Sequence, residues 1–485
     1  MFAAVIGCPI THSLSPKLFS FIAKFEGVET DYQALEINAE DAFRFLEDFK
    51  KNKKLIGVNV TIPLKELFID KIDSCSSEVK IIGALNVLHL KDEKVYGYNT
   101  DVLGIEATLR EMNFDATLKN CLILGAGGGA KASAYVLGSR LAKNVYVYNL
   151  SPKNELLVEH FKTHFPKTSW HVLNPKSLDL NNSLDFDLII NTTPVGMTGL
   201  KNHKEGDLGI FNILPQVNFN VGALAFDLIY TPAETDFMKL MKQFQVKTVG
   251  GLGMFINQAL GTWKIWHGKI SDELKLKNEL AFFLSGILKL KEDSSPIYIT
   301  GLMGAGKSQV GQILASLVGR DFVDTDLVIE SKTGKSISEI FSSMGEAHYR
   351  EIERVLISEL VTEALHKKLI ISLGGGSLTN QDTLNTILKS NGHFVYLKAS
   401  PEILNERIIT HEIKTNNIRP LLKDLDKASR LKKIEELLLI REENFKKATI
   451  HIQTNDLDTQ GVTFEILKAI GQVKPNGKSN QGMNV

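Results

Sequence analysis

A phosphate-binding loop in the interior of the chain constrains its fold more than any other feature. Residues 296–308 read PIYITGLMGAGKS, in which a short β-branched run precedes the pattern G-x-x-x-x-G-K-[ST]. Such a loop surrounds phosphate with backbone N–H groups, places a lysine on the β- and γ-phosphates and offers a hydroxyl to Mg²⁺. A chance glycine-rich turn is disfavoured by the strand before it and the helix-like QVGQILASLV after it. We predict a nucleoside triphosphate site, and a strand of this kind normally opens a domain, so the residues before 296 must form something else.

The size, charge and cysteine content fit a chain of several domains. The chain has 485 residues, more than one hydrophobic core usually serves. Lys plus Arg and Asp plus Glu number 56 each, so no overall charge favours nucleic acid or membrane as a partner. Cys8, Cys75 and Cys121 lie far apart without C-x-x-C spacing, which argues against disulfides and zinc. With no signal sequence and no apolar run of about 18 residues, we predict a cytoplasmic protein.

The first segments of the chain place polar side chains after predicted strands. FAAVIG indicates a strand, and Ser13 and Ser15 in the following loop could bind a small polyol. Alternatively, Ser15 before Pro16 suits a helix N-cap. LIGVNVTIP predicts another strand, and the apolar spacing of LKELFIDKI predicts a helix after it.

That second strand and its corner carry Asn59, Thr61 and Lys65. A single lysine there is usually a solvated surface residue, so a catalytic role requires a partner. Asp101 lies at the start of the next helical pattern, where helix capping alone would also explain it. If Lys65 and Asp101 meet in a cleft, the carboxylate would orient the ammonium group for proton transfer.

A dinucleotide-binding pattern follows in NCLILGAGGGAKASAYVLGS. An apolar strand leads into Gly125, Gly127 and Ala130, which form G-x-G-x-x-A at the start of a helix. The next strand, NVYVYNL, ends at Asn149 rather than at an acid that would bind the 2'-hydroxyl of NAD. Ser151 and Lys153 lie just beyond, so NADP is favoured. Further alternation of strands and helices predicts a doubly wound parallel sheet, and the fold class is α/β.

The first 290 residues or so resemble the shikimate dehydrogenases. The resemblance rests on ordered motifs: GCPITHSLSP, GVNVTIPLK, GALNV, GYNTD, GAGGGA, NTTPVGM, DLIYTP and GLGMFINQA. It implies a substrate-binding domain from residues 1–102 and 240–288 around a Rossmann domain, residues 103–239. It further implies that Lys65 is the acid/base, with Asp101 as its partner. The implied substrate residues are Ser13, Ser15, Asn59, Thr61, Asn86, Asp101, Tyr230 and Gln258. The implied NADP residues are Gly125, Ala126, Gly127, Gly128, Gly129, Ala130, Asn149, Ser151, Lys153 and Gly251.

The chain departs from that family at three places. Phe19 and Ser20 replace a common His-Asn pair, and Val87 follows Asn86 in place of Thr. Leu150 replaces the arginine that commonly binds the 2'-phosphate, which leaves Lys153 as the nearest cation. An NAD-linked quinate or shikimate dehydrogenase is therefore the alternative for this half.

Chemistry-bearing residues also follow the phosphate-binding loop. LKLKEDSSPI indicates a linker at residues 289–295. Asp324 and Asp326 are predicted at a strand end with both side chains on one face, suited to Mg²⁺ and to an acceptor hydroxyl. Arginine forks suit carboxylates and phosphates, although each alone would pass for surface charge. The candidates are Arg350, Arg419 and Arg441, together with a glycine turn formed by Gly374, Gly375 and Gly376. No N-K-x-D signature is present, which disfavours a GTPase.

This half resembles the shikimate kinases in GLMGAGKS, DTD, IFSSMGEAHYREIE, SLGGGS and IRPLL. The resemblance implies that Ser308 and Asp324 serve Mg²⁺, that Asp326 accepts the hydroxyl proton and that Arg419 closes from a lid. The implied ATP residues are Gly304, Ala305, Gly306, Lys307, Ser308, Gln309 and Arg419. The implied shikimate residues are Asp326, Arg350, Gly374, Gly375, Gly376 and Arg441. Tyr349 replaces the usual Phe, and the lid has Lys414 in place of a second arginine.

Both resemblances point to one metabolite, because the product of the first activity is the substrate of the second. They imply a bifunctional enzyme that converts 3-dehydroshikimate with NADPH to shikimate and phosphorylates shikimate with ATP and Mg²⁺. The kinase domain is predicted at residues 296–472 and a disordered tail at residues 473–485. A non-catalytic shikimate sensor is the alternative from another class, and the oligomer is left open between monomer and homodimer.

Overall fold

The computed structural model describes residues 2–10, 13–174, 185–198, 205–415 and 419–472, and the predicted tail, residues 473–485, lies outside this part of the chain. The chain forms two compact units with a boundary between Ala281 and Phe282. Within the described residues, no helix combines the length and the apolar character that crossing a membrane requires.

The first unit begins with a six-stranded mixed sheet. Its strands are β1 (Phe2–Gly7), β2 (Asp31–Glu36), β3 (Leu55–Val60), β4 (Ser74–Cys75), β5 (Val87–Lys91) and β6 (Lys94–Tyr98), with helices α1 (Ser15–Glu26), α2 (Ala42–Lys51) and α3 (Ser77–Ile82). The strand order is β2-β1-β3-β5-β6-β4. Because β1 and β3 are parallel neighbours, the loops that follow them open at the same edge of the sheet. Ser13 and Thr61 lie in these loops.

A second sheet in the same unit is entirely parallel. The elements are α4 (Asp101–Glu111), β7 (Asn120–Leu124), α5 (Gly128–Ser139), β8 (Asn144–Tyr148), α6 (Lys153–His164), β9 (Ser169–Val172), β10 (Asp185–Asn191), β11 (Asn218–Asp227), α7 (Asp236–Gln243), β12 (Lys247–Val249) and α8 (Leu252–His267). The next helix, α9 (Glu273–Glu292), begins in the first unit and ends in the second. The strand order β12-β11-β10-β7-β8-β9 reverses direction between β7 and β10. Such a switch point opens a crevice at the carboxyl ends of the strands, and the Gly125 turn lies there.

The second unit contains a five-stranded parallel sheet. Its elements are β13 (Ile297–Thr300), α10 (Lys307–Val318), β14 (Asp321–Asp324), α11 (Thr325–Thr333), α12 (Ile337–Glu363), β15 (Leu369–Ser372), α13 (Gln381–Lys389), β16 (His393–Lys398), α14 (Pro401–Thr415), α15 (Lys427–Phe445), β17 (Ile450–Gln453) and α16 (Thr459–Gln472). The order is β14-β15-β13-β16-β17, so the phosphate-binding loop leaves the central strand. The predicted α/β class is confirmed, with a Rossmann-type sheet in the first unit.

The prediction of a helix directly after Pro63 is wrong. Residues 65–67 form a turn and Phe68 a bend, and in this stretch only Ile69–Lys71 make a short 3-10 segment. Leu64 and Phe68 are fully buried, so the apolar spacing reflects core contacts. The Lys65 carbonyl accepts from the Leu85 N–H at 2.8 Å, a bond to a distant segment in place of a helical one.

The structure also differs from the predictions at the start of α1 and at the end of β14. Ser15 is the first residue of α1 and makes no cap, since Leu14 occupies the N-cap position. Asp324 ends β14 and caps α11, so Asp326 lies on the helix and not on the strand. The cap explains this, because the Asp324 carboxylate accepts from the Asp326 N–H at 3.0 Å and turns the chain.

A buried arginine holds the end of α9 inside the second unit. Arg320 is 7% exposed, and its guanidinium donates to the carbonyls of Leu290, Asp293 and Ser295, at 2.8, 2.6 and 2.5 Å. Residues 289–292, predicted as the start of a linker, therefore form the last turn of α9. The linker and the domain limits within the first unit stay predictions.

We expect Arg320→Ala to destabilise the second unit by about 3 kcal/mol, because one buried and two half-buried carbonyls lose a charged donor. Heating should then abolish kinase activity about 6–12 °C earlier than in the unmodified protein. Dehydrogenase activity in the same sample should not change. Arg354→Ala, which removes an exposed pair with Glu351, is the matched control and should shift the midpoint little. Equal midpoints for both variants would contradict the assignment.

Candidate active sites

An ion pair between Lys65 and Asp101 lies in a cleft of the first unit. The Lys65 Nζ is 2.5 Å from the Asp101 Oδ2, and the side chains are 18% and 8% exposed. Lys65 is in the loop after β3, whereas Asp101 begins α4. Lys65 and Asp101 are therefore in contact, as the sequence predicted. The contact gives the cleft an oriented ammonium group that can deliver a proton.

A small pocket surrounds this pair. Its volume is about 200 Å³, and it lies where the loops after β1 and β3 meet α8. All of the predicted substrate residues line it: Ser13, Ser15, Asn59, Thr61, Lys65, Asn86, Asp101, Tyr230 and Gln258. Hydroxyls, amides and one ammonium group in so small a space suit a compact hydroxylated anion.

Hydrogen bonds fix the amide side chains of this pocket. Asn86 donates through Nδ2 to Asp101 Oδ1 at 2.9 Å and to Gln258 Oε1 at 3.1 Å, and its Oδ1 accepts from the Thr100 N–H at 2.7 Å. Asn59 accepts from the hydroxyl of buried Tyr32 at 2.7 Å. The pocket is therefore ordered before a ligand binds.

A larger cleft of about 920 Å³ adjoins the pocket and shares Lys65 and Asp101 with it. Most predicted cofactor residues line it: Gly125, Ala126, Gly127, Gly128, Gly129, Asn149, Ser151, Lys153 and Gly251. The exception is Ala130, which is fully buried in the core on the inner face of α5 and does not line the cleft.

The glycines of this cleft fit a dinucleotide. Gly125 has φ +109°, and a Cβ there would lie 2.5 Å from the Thr192 hydroxyl. A Cβ on Gly251 would overlap the Leu228 carbonyl, whereas no atom lies within 4 Å of the Cβ position of Gly127. The turn therefore packs tightly on one side and leaves open backbone on the other, where a pyrophosphate could approach the start of α5.

The end of the cleft near β8 carries the predicted 2'-phosphate residues. Asn149 donates through Nδ2 to the Ser151 hydroxyl at 2.7 Å, and Lys153 begins α6 beside them. Leu150 is 53% exposed and does not line the cleft. Lys153 is thus the cation available at this end of the described cleft.

Sequence reasoning missed several residues of the two cavities. Phe255 stacks on Tyr230 with ring centroids 4.3 Å apart, and Met197 lines both the pocket and the cleft. Burial raises the pKa of Tyr230 to about 12, so its phenol stays protonated. Lys131 and Glu66 also line the cleft, and they form an ion pair at 2.8 Å. Met197 belongs to the motif NTTPVGM and Phe255 to GLGMFINQA. Both side chains are apolar, so the sequence did not indicate that they contact a ligand.

The second unit contains a cleft of about 580 Å³ around the phosphate-binding loop. The predicted residues that line it are Gly304, Ala305, Gly306, Lys307, Ser308, Gln309, Asp324, Asp326, Gly375 and Arg419. Gly306, with φ +86°, is the N-cap residue of α10 and has no atom within 4 Å of its Cβ position. The remaining predicted lid residues, 416–418, lie outside the described part of the chain.

Charged side chains of this cleft are arranged for a magnesium nucleotide. The Ser308 hydroxyl donates to Asp324 Oδ2 at 2.5 Å, which places the two predicted Mg²⁺ residues together. Burial lowers the pKa of Lys307 to about 8, against the attraction of Asp326 and Asp324. Its Nζ donates to the Leu302 carbonyl at 3.2 Å and so rests inside the loop, where a phosphate would lie. These residues fit Mg²⁺ and a triphosphate.

The predicted acceptor side lies beside this cleft. Arg350 pairs with Glu353 at 2.8 Å, and Arg441 donates to the Gly375 carbonyl at 3.1 Å. A Cβ on Gly376 would overlap the Arg350 guanidinium, and one on Gly374 would overlap the Glu353 carboxylate. Arg350, Arg441, Gly374 and Gly376 border the cleft without lining it. Arg407 of α14 was missed, although it lines the cleft and donates to Thr454 Oγ1 at 3.0 Å.

The two units define a dinucleotide-dependent oxidoreductase joined to a P-loop kinase. Residues 5–88 match the family model described as shikimate dehydrogenase substrate binding domain, and residues 303–471 match the model described as shikimate kinase. The chain is 34% identical over 286 residues to the shikimate dehydrogenase (NADP(+)) of Staphylococcus aureus, covering 58% of this chain and 98% of that protein. It belongs to the shikimate dehydrogenase family through its first unit and carries a shikimate kinase domain in its second.

Further relatives are similar to the first unit. The shikimate dehydrogenase (NADP(+)) of Methanococcus maripaludis is 32% identical over 276 residues, which are 57% of this chain and 95% of that protein. The crystal structure of a chorismate mutase/shikimate 5-dehydrogenase fusion protein from Clostridium acetobutylicum has 29% identity and a TM-score of 0.50. That similarity covers 59% of this chain and 98% of the other.

Proposed function

We propose that the chain is a bifunctional enzyme of the shikimate pathway. It reduces 3-dehydroshikimate to shikimate with NADPH and phosphorylates shikimate at the 3-hydroxyl with ATP and Mg²⁺. The observation that carries this proposal is the oriented Lys65–Asp101 pair, which lies where a 200 Å³ polar pocket meets a dinucleotide cleft. A location in the cytoplasm and a monomeric or homodimeric state stay predictions.

In the first reaction Lys65 supplies the proton. NADPH, held by the glycine turn at Gly125–Gly129, would supply the hydride that the ring carbonyl carbon takes up. Lys65 gives a proton to the carbonyl oxygen, while Asp101 holds the ammonium group toward the pocket. Ser13, Ser15, Asn86 and Gln258 line the pocket and would bind the hydroxyls and the carboxylate of the ring.

In the second reaction the side chains position and neutralise charge. Lys307 and Arg419 bind phosphate oxygens, and Ser308 with Asp324 holds Mg²⁺. Asp326 accepts the proton of the attacking hydroxyl. Arg350 and Arg441 bind the carboxylate of the acceptor through their planar guanidinium groups.

A single incubation tests both activities. Purified protein with 3-dehydroshikimate, NADPH, ATP and Mg²⁺ should oxidise NADPH, release ADP and yield a phosphorylated product by mass spectrometry. Omitting ATP should stop the sequence at shikimate. Tight binding of shikimate with neither NADPH oxidation nor ADP release would instead support a sensor without turnover.

The exposed Leu150 supports a second candidate, an enzyme that also accepts NAD or quinate. Comparing kcat/KM for NADPH and NADH, and for shikimate and quinate in the reverse direction, decides between the two.

We expect Leu150→Arg to raise the NADPH over NADH preference about tenfold, since a guanidinium would join Lys153 beside the 2'-phosphate. The measurement is kcat/KM for each cofactor. Leu274→Arg is the control, because Leu274 is likewise exposed but lies in the first turn of α9 and does not line the cleft. An unchanged ratio in Leu150→Arg would show that the 2'-phosphate lies elsewhere.

A further inference from the structure

Tyr349 makes a contact that the reaction outlined above does not use. Its hydroxyl donates to Asp326 Oδ1 at 2.7 Å, and the side chain is 3% exposed on α12. A phenylalanine at this position would have no such donor. The tyrosine therefore adds a hydrogen bond to the acid predicted to accept the proton in phosphoryl transfer.

The Tyr349 hydroxyl donates its hydrogen bond to Asp326 and not to the neighbouring acid, Glu353. Glu353 Oε1 lies 3.4 Å from the same hydroxyl, a longer contact. Glu353 is already satisfied, because Ser377 donates to its Oε1 at 2.5 Å and Arg350 donates to its Oε2 at 2.8 Å. Burial and the charge of Asp326 raise the pKa of the Tyr349 phenol, which keeps it a donor.

The bond leaves one oxygen of Asp326 available. Within the described residues, Oδ2 accepts no hydrogen bond, while Oδ1 is held by Tyr349. The backbone of Asp326 is held as well, since its N–H donates to Asp324 Oδ1. A carboxylate fixed at its backbone and at one oxygen leaves few orientations for the other oxygen, and Asp326 is one of the residues that line the cleft.

We propose that Tyr349 is a positioning residue for the kinase reaction, which fixes Asp326 so that its free oxygen meets the attacking hydroxyl. This inference rests on the proposed function, because Tyr349 positions Asp326 for the proposed kinase reaction and takes no chemical part in that reaction itself. A hydrogen bond of this kind affects alignment in the transition state more than it affects nucleotide binding.

The test is a double-mutant cycle in the full chain with shikimate and saturating MgATP. Tyr349→Phe should lower kcat about tenfold and leave the KM for MgATP within about twofold. Asp326→Asn should lower kcat about a hundredfold or more. The double variant should equal Asp326→Asn within about twofold, because Tyr349 has nothing left to position.

Two controls separate this role from a structural one. Tyr298→Phe removes the hydroxyl of a fully buried tyrosine on β13 that does not line the cleft, and its kcat should match that of the unmodified enzyme. Dehydrogenase activity should be the same in every variant. Multiplicative losses in the double variant, or an unchanged kcat in Tyr349→Phe, would overturn the inference. An unmodified protein that fails to phosphorylate shikimate would instead overturn the proposed function.

Discussion

Replacing Lys65 with alanine is expected to lower the kcat for 3-dehydroshikimate reduction by about a hundredfold or more, the usual value of a positioned acid or base. Lys65 is the cation paired with Asp101 at the junction of pocket and cleft. Without it, the carbonyl oxygen must take its proton from water as the hydride arrives. Stopped-flow oxidation of NADPH under saturating substrate measures this step.

The same protein sample carries its own control. Phosphorylation of added shikimate should proceed normally in Lys65→Ala, because Lys307 and its neighbours are unaltered. Lys53→Ala, at an exposed lysine that pairs with Glu93, should keep full dehydrogenase activity. Normal turnover in Lys65→Ala would remove this residue from the mechanism, and a loss of both activities would indicate misfolding.

For the kinase, Lys307→Ala is expected to lower kcat/KM for MgATP about a thousandfold, the upper end of what one preorganised donor contributes. Lys307 is half-buried in the phosphate-binding loop and lines the cleft. Alanine leaves the negative charge of the transferring phosphoryl group without this partner. ADP release measured with shikimate as the acceptor gives the rate.

A surface lysine of the same unit serves as the matched control for this variant. Lys332→Ala breaks an exposed pair with Glu359 and should leave ADP release unchanged. NADPH oxidation should be equal in both variants. If Lys307→Ala retained more than about a tenth of the rate, Lys307 would not be a main contributor to phosphoryl transfer.

Much of the architecture was predictable because glycine patterns reflect backbone geometry. Gly125 and Gly306 adopt positive φ, and the loops around them require the strand and helix on either side. These patterns predicted both nucleotide clefts before any contact was known. The pairing of Lys65 with Asp101 was predictable only as a possibility, since 36 positions separate them in the chain.

The remainder depended on contacts that sequence spacing does not encode. Leu64 and Phe68 have helical spacing, but the bond from Leu85 to the Lys65 carbonyl replaces the helix with turns. Ala130 matches the dinucleotide pattern, yet the packing of α5 directs it into the core. The hydrogen bond from Tyr349 to Asp326 joins two helices, and no local sequence pattern predicts it.

The end of α9 limits where the kinase can be cut free. Phe283, Ile287 and Leu290 are fully buried, and a Cβ on Gly286 would overlap the backbone of Leu467 in α16. An autonomous kinase fragment must therefore start no later than Phe282. The polar segment before Pro296, where the sequence predicts a linker, is too late a start. A protease or a truncation acting at that segment would remove part of the kinase core along with the dehydrogenase.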